Sequence, residues 1–209
     1  MITGVVMRAD PRRAYGPAVP TVAVVWEPDA GALAALAGRG VAVRSALADQ
    51  GPYGRGVPFG AFVVGGADLD AAAVTGGQVW AWAVDEHVPR AGATDGAVAM
   101  VSLMRRRPGT TPAEFATHWT ERHGPLALRR HVGLIDYHQF VVRESLTPGA
   151  PEIDGIAVLG FATRTDFETR FFDSDEGRAE IMEDVARFMD RPGPETTLVG
   201  PAGRVGASR

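Results

Sequence analysis

The order of elements on either side of residues 87–96 restricts the fold more than any other feature of the chain. Before that stretch, TVAVVWE (21–27) is apolar and β-branched, and DAGALAALAG (29–38) reads as a helix capped by Asp29 and stopped by Gly38. VAVRSALAD (41–49) and FGAFVVGG (59–66) read as two strands, ADLDAAAV (67–74) as a short helix and QVWAWAV (78–84) as a strand. After it, AVAMVSLMRR (97–106) is a strand and TTPAEFATHWTERHG (110–124) a helix, with a threonine cap, a proline in its first turn and Glu114 as capping-box partner. LIDYHQFVV (134–142) and DGIAVLGF (154–161) are strands, residues 164–190 are helical in two pieces, and ETTLVG (195–200) is a last strand. Both halves therefore read βαββαβ.

Two copies of this split pattern predict an α+β fold of tandem ferredoxin-like repeats, about 20–95 and 96–200, within domains of 1–95 and 96–209. HVPRAGATDG (87–96), rich in Gly, Pro and small polar residues, is expected to be the linker. One such sheet carries helices on one face only. Placing the two repeats face to face covers the other face within one chain.

Composition removes several chemistries. The 209-residue chain has no cysteine, which excludes disulfides, thiolate metal sites and cysteine nucleophiles. It also has no lysine, so Schiff-base catalysis and a P-loop lysine are absent. A net charge of -4 gives no basic footprint for nucleic acid. The Arg105-Arg106-Arg107 run reads as a solvated strand end, or at most an anchor for an acidic substrate. The first residues lack the apolar core of a signal peptide and no run reaches membrane-spanning length, so a cytoplasmic location without membrane contact is expected.

HWTERHGPL (118–126) holds the reactive groups that remain. On an ideal helix Phe115, Trp119 and Arg122 share a face, and His118 and His123 lie about 140° apart, so they cannot hold one metal ion together. His123 precedes Gly124-Pro125, where the helix is expected to end through a left-handed glycine. That position suits a histidine interacting with the free carbonyls, and equally a base that titrates near neutral pH. The chemistry of the residues alone does not separate these.

The second half resembles the EthD family of dimeric α/β-barrel proteins. The features that carry the resemblance run in order: RRRPGTTPAEFATHW, HWTERHGPL, GLIDYHQF, DGIAVLGF and EDVARFMD, over residues 97 to about 200. The resemblance implies a ferredoxin-like repeat that pairs into a barrel with a buried, mostly apolar cavity. It also implies a function among cofactor-free dehydratases, decarboxylases, cyclases and isomerases of polyketides or lactones. Carried over, the family's tryptophan is Trp119, its histidine His123, its strand tyrosine Tyr137 and its Asp-Gly pair Asp154-Gly155.

The family's usual member is a single repeat that dimerises. Here the first half, which has no HW...H, stands where the partner would and resembles a degenerate copy. One pocket per chain is expected, in a monomer with a pseudo-dimeric barrel or a weak homodimer. Tyr137 and His138 are adjacent on a strand, so one faces the barrel interior and the other the helices. The natural place for a catalytic group is the interior. Asp136 and Asp184 are each placed to orient an imidazole, though a structural role is the commoner outcome, and His87 and His131 are expected to be solvated.

The leading expectation is a cofactor-independent lyase or isomerase without a metal, acting on a small hydrophobic or aromatic metabolite. His123 takes a proton, and Tyr137 or His138 donates one. His118, Trp119, Phe140, Met104 and Phe188 are expected to bind the substrate. The alternatives are a cofactor-free or haem-dependent monooxygenase of the dimeric α/β-barrel type, and a protein that binds a hydrophobic metabolite without turnover.

Overall fold

The computed structural model describes residues 19–39, 41–55, 59–66, 69, 78–92, 98–190 and 195–203. Eight strands carry the architecture: β1 (Thr21–Val25), β2 (Ala42–Ala46), β3 (Ala61–Gly65), β4 (Val79–Arg90), β5 (Val98–Met104), β6 (Leu134–Ser145), β7 (Gly155–Phe161) and β8 (Glu195–Gly203). They close into one barrel in the order β1-β3-β2-β8-β5-β7-β6-β4. Every neighbouring pair is antiparallel. The result is an α+β protein built on an eight-stranded antiparallel barrel.

Within the barrel the first half contributes β4-β1-β3-β2 and the second β8-β5-β7-β6, so its first, second, third and fourth strands lie in the same spatial order in each half. Two seams join the halves. β2 pairs with β8 through Val43↔Gly203, Arg44↔Ala202 and Ala46↔Val199. β4 pairs with β6 from Trp82↔Ser145 to Arg90↔Tyr137. Closure leaves no sheet edge exposed.

The β4–β6 seam corrects the linker. His87–Arg90, read as its beginning, continue β4 and pair with β6, where the ladder hydrogen bonds outweigh the local Pro89 signal. The proposed short helix ADLDAAAV lies outside the described residues, apart from Leu69.

Side-chain alternation sorts the core into layers. Val22, Val24, Phe62, Trp82, Val84, Val101, Phe140, Ile156, Val158 and Val199 fill the barrel. On the outer face of the first half lies the alanine-rich helix α1 (Ala30–Gly38), capped by Asp29, whose side chain accepts from Ala32 N–H. The outer face of the second half carries a larger layer of α2 (Pro112–His118), α3 (Gly124–Arg130), α4 (Arg164–Thr169) and α5 (Asp175–Phe188). There Phe115, Trp119, Leu126, Phe167 and Phe188 pack on Tyr137, Leu159 and Phe161, each large side chain contributing roughly 1.5–3 kcal/mol. Among the described residues no helix is long and apolar enough to cross a membrane.

Candidate active site

The helix that carries HWTERHGPL starts as the sequence dictates. Thr111 accepts from Glu114 N–H while the Glu114 carboxylate accepts from Thr111 N–H, a reciprocal capping box. It does not stop at Gly124. Residues Trp119–His123 form a π turn in which Gly124 N–H donates to Trp119 C=O, five residues back, and α3 then continues with Gly124 in right-handed helical geometry at φ -53°. Pro125 falls in the first turn of that continuation, where a missing N–H is tolerated. His123 therefore lies in mid-helix and is not a C-terminal cap.

The π turn also overturns the angular argument from an ideal helix. A five-residue step brings residues five apart towards one face. His118 Nε2 donates to Asp184 Oδ1 at 2.8 Å, and His123 Nδ1 donates to Asp184 Oδ2 at 2.9 Å. Arg122, expected on the buried face with Trp119, is exposed, and His123 takes its place.

The side chains of His118, Asp184 and His123 are 17%, 13% and 10% exposed. Burial works to raise the Asp184 carboxyl, but the hydrogen bonds and charge of His123 and His118 outweigh it and hold the group below the ordinary carboxylate range. An ionised Asp184 requires a proton on each nitrogen that faces it, so the network assigns the lone pairs to His118 Nδ1 and His123 Nε2. The ring of Phe188 lies 5.0 Å from His118, stacked, and 5.1 Å from His123. A groove of about 430 Å³ is lined by Phe115, His118, Arg122, Arg187 and Phe188 among others.

Behind the histidines, the sheet meets the π turn. Tyr137 faces the helices and is fully buried, and its hydroxyl accepts from Trp119 Nε1 at 3.3 Å and from Gln139 Nε2 at 2.9 Å. Burial pushes the Tyr137 phenol up to about 12, so it stays protonated. Gln139 Nε2 also donates to Trp119 C=O, and Gln139 Oε1 has no partner among the described residues. Met104 and Phe188 belong to the same packed layer as Trp119. Gly155 is there because a Cβ would stand 2.6 Å from Trp119 Cζ3. Asp154 accepts from Arg106 N–H at 2.8 Å and pairs with the Arg106 guanidinium.

His138 and Phe140 point the other way, into the barrel, stacked on each other at 5.8 Å. His138 has both ring nitrogens engaged, Nδ1 with Glu86 at 2.7 Å and Nε2 with Asp136 at 3.2 Å. The interior, expected to hold the catalytic group, thus holds an imidazole without a free nitrogen. The eight expected site residues fall into two places: His118, Trp119, His123, Tyr137, Met104 and Phe188 between helices and sheet, His138 and Phe140 inside the barrel.

His131 is buried at 3% exposure, corrected from the expectation of a solvated ring. Phe171 and Phe172 enclose it, and Nδ1 bonds Phe171 C=O. His87 is exposed, as expected. Gln139 and Glu86 were not singled out by sequence. A glutamine inside the apolar run LIDYHQFVV was the available signal for the first, and Glu86 was hidden at the edge of the presumed linker. Among the described residues no cluster of His, Asp and Glu could hold a metal ion.

No curated protein matches the sequence. By structure, the chain is similar to an anthrone oxidase-like protein, with a TM-score of 0.60 and 9% identity over 92% of this chain and 97% of that one. It is also similar to a protein assigned as a monooxygenase from Lactobacillus acidophilus, with a TM-score of 0.52 and 7% identity over 90% and 99%. A third is one so assigned from Fusobacterium nucleatum, with a TM-score of 0.54 and 9% identity over 91% and 97%. At such identities the likeness shows the fold alone. The EthD domain model matches residues 107–192, a segment within the C-terminal half that runs from Arg107 through the π turn and Asp184, and this segment is an EthD domain.

Proposed function

We propose that this chain is an acid–base enzyme that works without a cofactor on a small aromatic metabolite with an acidic C–H, and that the carbanion it forms is oxygenated by O₂. The observation that carries the reading is the single carboxylate of Asp184 shared by His118 and His123 beside an aromatic groove. Of the two imidazoles His118 lines the groove, so the base meets substrate there, and His123, expected from sequence to be the base, becomes the residue that holds Asp184 ionised and in place. Asp184 in turn fixes the tautomer that leaves His118 Nδ1 free to take a proton.

The chemistry balances without an added reductant. His118 removes a proton from a CH₂ flanked by aromatic rings, the carbanion gives its electrons to O₂, and a C–O bond forms. Protonation gives a hydroperoxide. Removal of the second C–H proton breaks the O–O bond, leaving a ketone and water: R₂CH₂ + O₂ → R₂C=O + H₂O. A haem does not fit around His123, because Phe115, Trp119 and Phe188 are each no more than 2% exposed, with ring centres 5.5 and 5.7 Å apart.

The names of the structural neighbours, anthrone oxidase-like and monooxygenase, support oxygenation over elimination as the second step. The common strand order of the halves supports tandem ferredoxin-like repeats with a boundary near residue 95, hence a monomer that closes its own barrel.

Anthrone and O₂ are the test. The expected result is one O₂ consumed per anthraquinone formed, with His118→Gln and Asp184→Asn slower by about 10²–10⁴-fold. His123→Gln is expected to lose less. Deuterium exchange at the CH₂ carbon without O₂ isolates the first step. Deuterium exchange at that carbon with no O₂ uptake in air would replace oxygenation by the isomerase reading, and full turnover in His118→Gln and Asp184→Asn would refute the site.

A further inference from the structure

Three of the four tryptophans gather away from the acid–base groove, at one end of the barrel. Trp80 and Trp82 share the interior side of β4, Trp26 stands 4.3 Å from Trp80, and Phe59 lies 6.3 Å from Trp26. Beside Trp82 opens a pocket of about 820 Å³, within the range of small-molecule sites. Its floor is Trp82, Val142, Ala150 and Ile153, and its rim is the loop from Arg105 to Thr110.

Trp82 is 1% exposed, and its indole N–H has no acceptor among the described residues. A buried donor left unpaired costs about as much as a lost hydrogen bond, so the position calls for an acceptor. The rim carries both signs. Arg106 is committed to Asp154, Arg143 to Asp85 and Arg105 Nε to Glu152 C=O, while Glu144 and Asp190 also have partners. Mixed charge over an apolar floor with one unpaired indole N–H selects a flat apolar body with oxygen at its edge rather than a polyanion.

We infer that this barrel mouth is a second ligand site, which takes a planar aromatic molecule bearing a carbonyl or phenolate oxygen. The body lies on the apolar floor of Val142, Ala150 and Ile153, and the oxygen accepts from Trp82 Nε1 at its edge. The first half thereby contributes binding surface to a chain whose acid–base groups lie in the second. The inference stands independently of catalysis at His118.

The experiment is calorimetric titration of the full chain with coumarin, a planar probe that carries a carbonyl acceptor and is neither substrate nor product of the proposed reaction. Saturable one-to-one binding is expected. Trp82→Phe, which keeps a ring and removes the N–H, should weaken it roughly tenfold, the loss of one buried hydrogen bond. Ala150→Trp, at a loop position that fills the pocket, should abolish it, and His118→Gln should leave it unchanged. Circular dichroism shows whether Trp82→Phe folds. If it does not, Ala150→Trp decides. Absent binding, unchanged affinity in Ala150→Trp or in folded Trp82→Phe, or weakening in His118→Gln overturns the inference.

Discussion

The side-chain amide of Gln139 donates to the main-chain carbonyl of Trp119 across 3.0 Å, at the point where the helix takes its five-residue step. That carbonyl accepts from Gly124 N–H as well, so a strand residue and a helix residue pin the same turn. The hold is rigid because Gln139 is wholly buried and its second N–H is spent on Tyr137.

Gln139→Leu removes both donations while keeping an apolar body of similar size. It also removes the unpartnered Oε1, which offsets part of the cost. The expected loss is about 1–2 kcal/mol in urea unfolding. Undiminished stability would mean that packing alone holds the π turn.

Gly155 and Trp119 are coupled by a gap with no room in it. A methyl group at 155 would sit 2.6 Å from Trp119 Cζ3 and 3.1 Å from Met104 Cε. Gly155→Ala is expected to cost about 1–3 kcal/mol through overpacking. Trp119→Phe supplies space, so the double variant should be more stable than the sum of the single losses predicts. Additive losses in denaturant titrations would show that strand β7 shifts and the tryptophan does not.

The strands and their order were legible because apolar alternation and turn residues mark them locally. Asp29 and the Thr111–Glu114 box were legible for the same reason, since a cap depends on three or four neighbouring residues. The end of the α2 helix was not. Gly124-Pro125 has the local form of a stop, and only contacts from elsewhere, Gln139 on β6 and Asp184 on α5, stabilise a π turn there instead. Ideal-helix angles, which ignore the π turn, separate His118 from His123, whereas the five-residue step brings both to one carboxylate. Likewise, alternation showed that Tyr137 and His138 face opposite ways. Pairing with β4 and β7 decides which way, and that pairing is long-range.

His131 makes the fold sensitive to acid. Burial lowers its imidazole to about 4 and outweighs the bond to Phe171 C=O, which favours the charged form. The unfolded ring titrates near 6.5, so between about 6.5 and 4 the unfolded state binds the extra proton. Stability is fully present above pH 6.5 and is lost as pH falls towards 4, by about 3 kcal/mol at most. Unfolding free energies measured from pH 7 to 4 should show this slope, and His131→Gln should flatten it even if it starts from a lower value. An equal slope in the variant would assign the acid loss to carboxylates instead.

His138 acts in the opposite direction, across the β4–β6 seam. Burial works to lower its pKa, but hydrogen bonds and charge from Asp136 and Glu86 outweigh that and raise it above the ordinary value, with Arg44 also acting on Asp136. A raised imidazole binds its proton more tightly in the folded state, so this stabilisation is complete below pH 6.5 and is lost as pH rises through the folded pKa. Glu86 belongs to the first half, and His138 and Asp136 to the second, so the protonated ring ties the two halves together. His138→Gln should be less stable than the parent below pH 6.5 and should approach it as pH rises. Glu86→Gln, which keeps Asp136, should show a smaller effect of the same sign. Unfolding curves between pH 5.5 and 9 measure this, and a constant gap between parent and His138→Gln across that range would show that the ring contributes by packing on Phe140 and not by its charge.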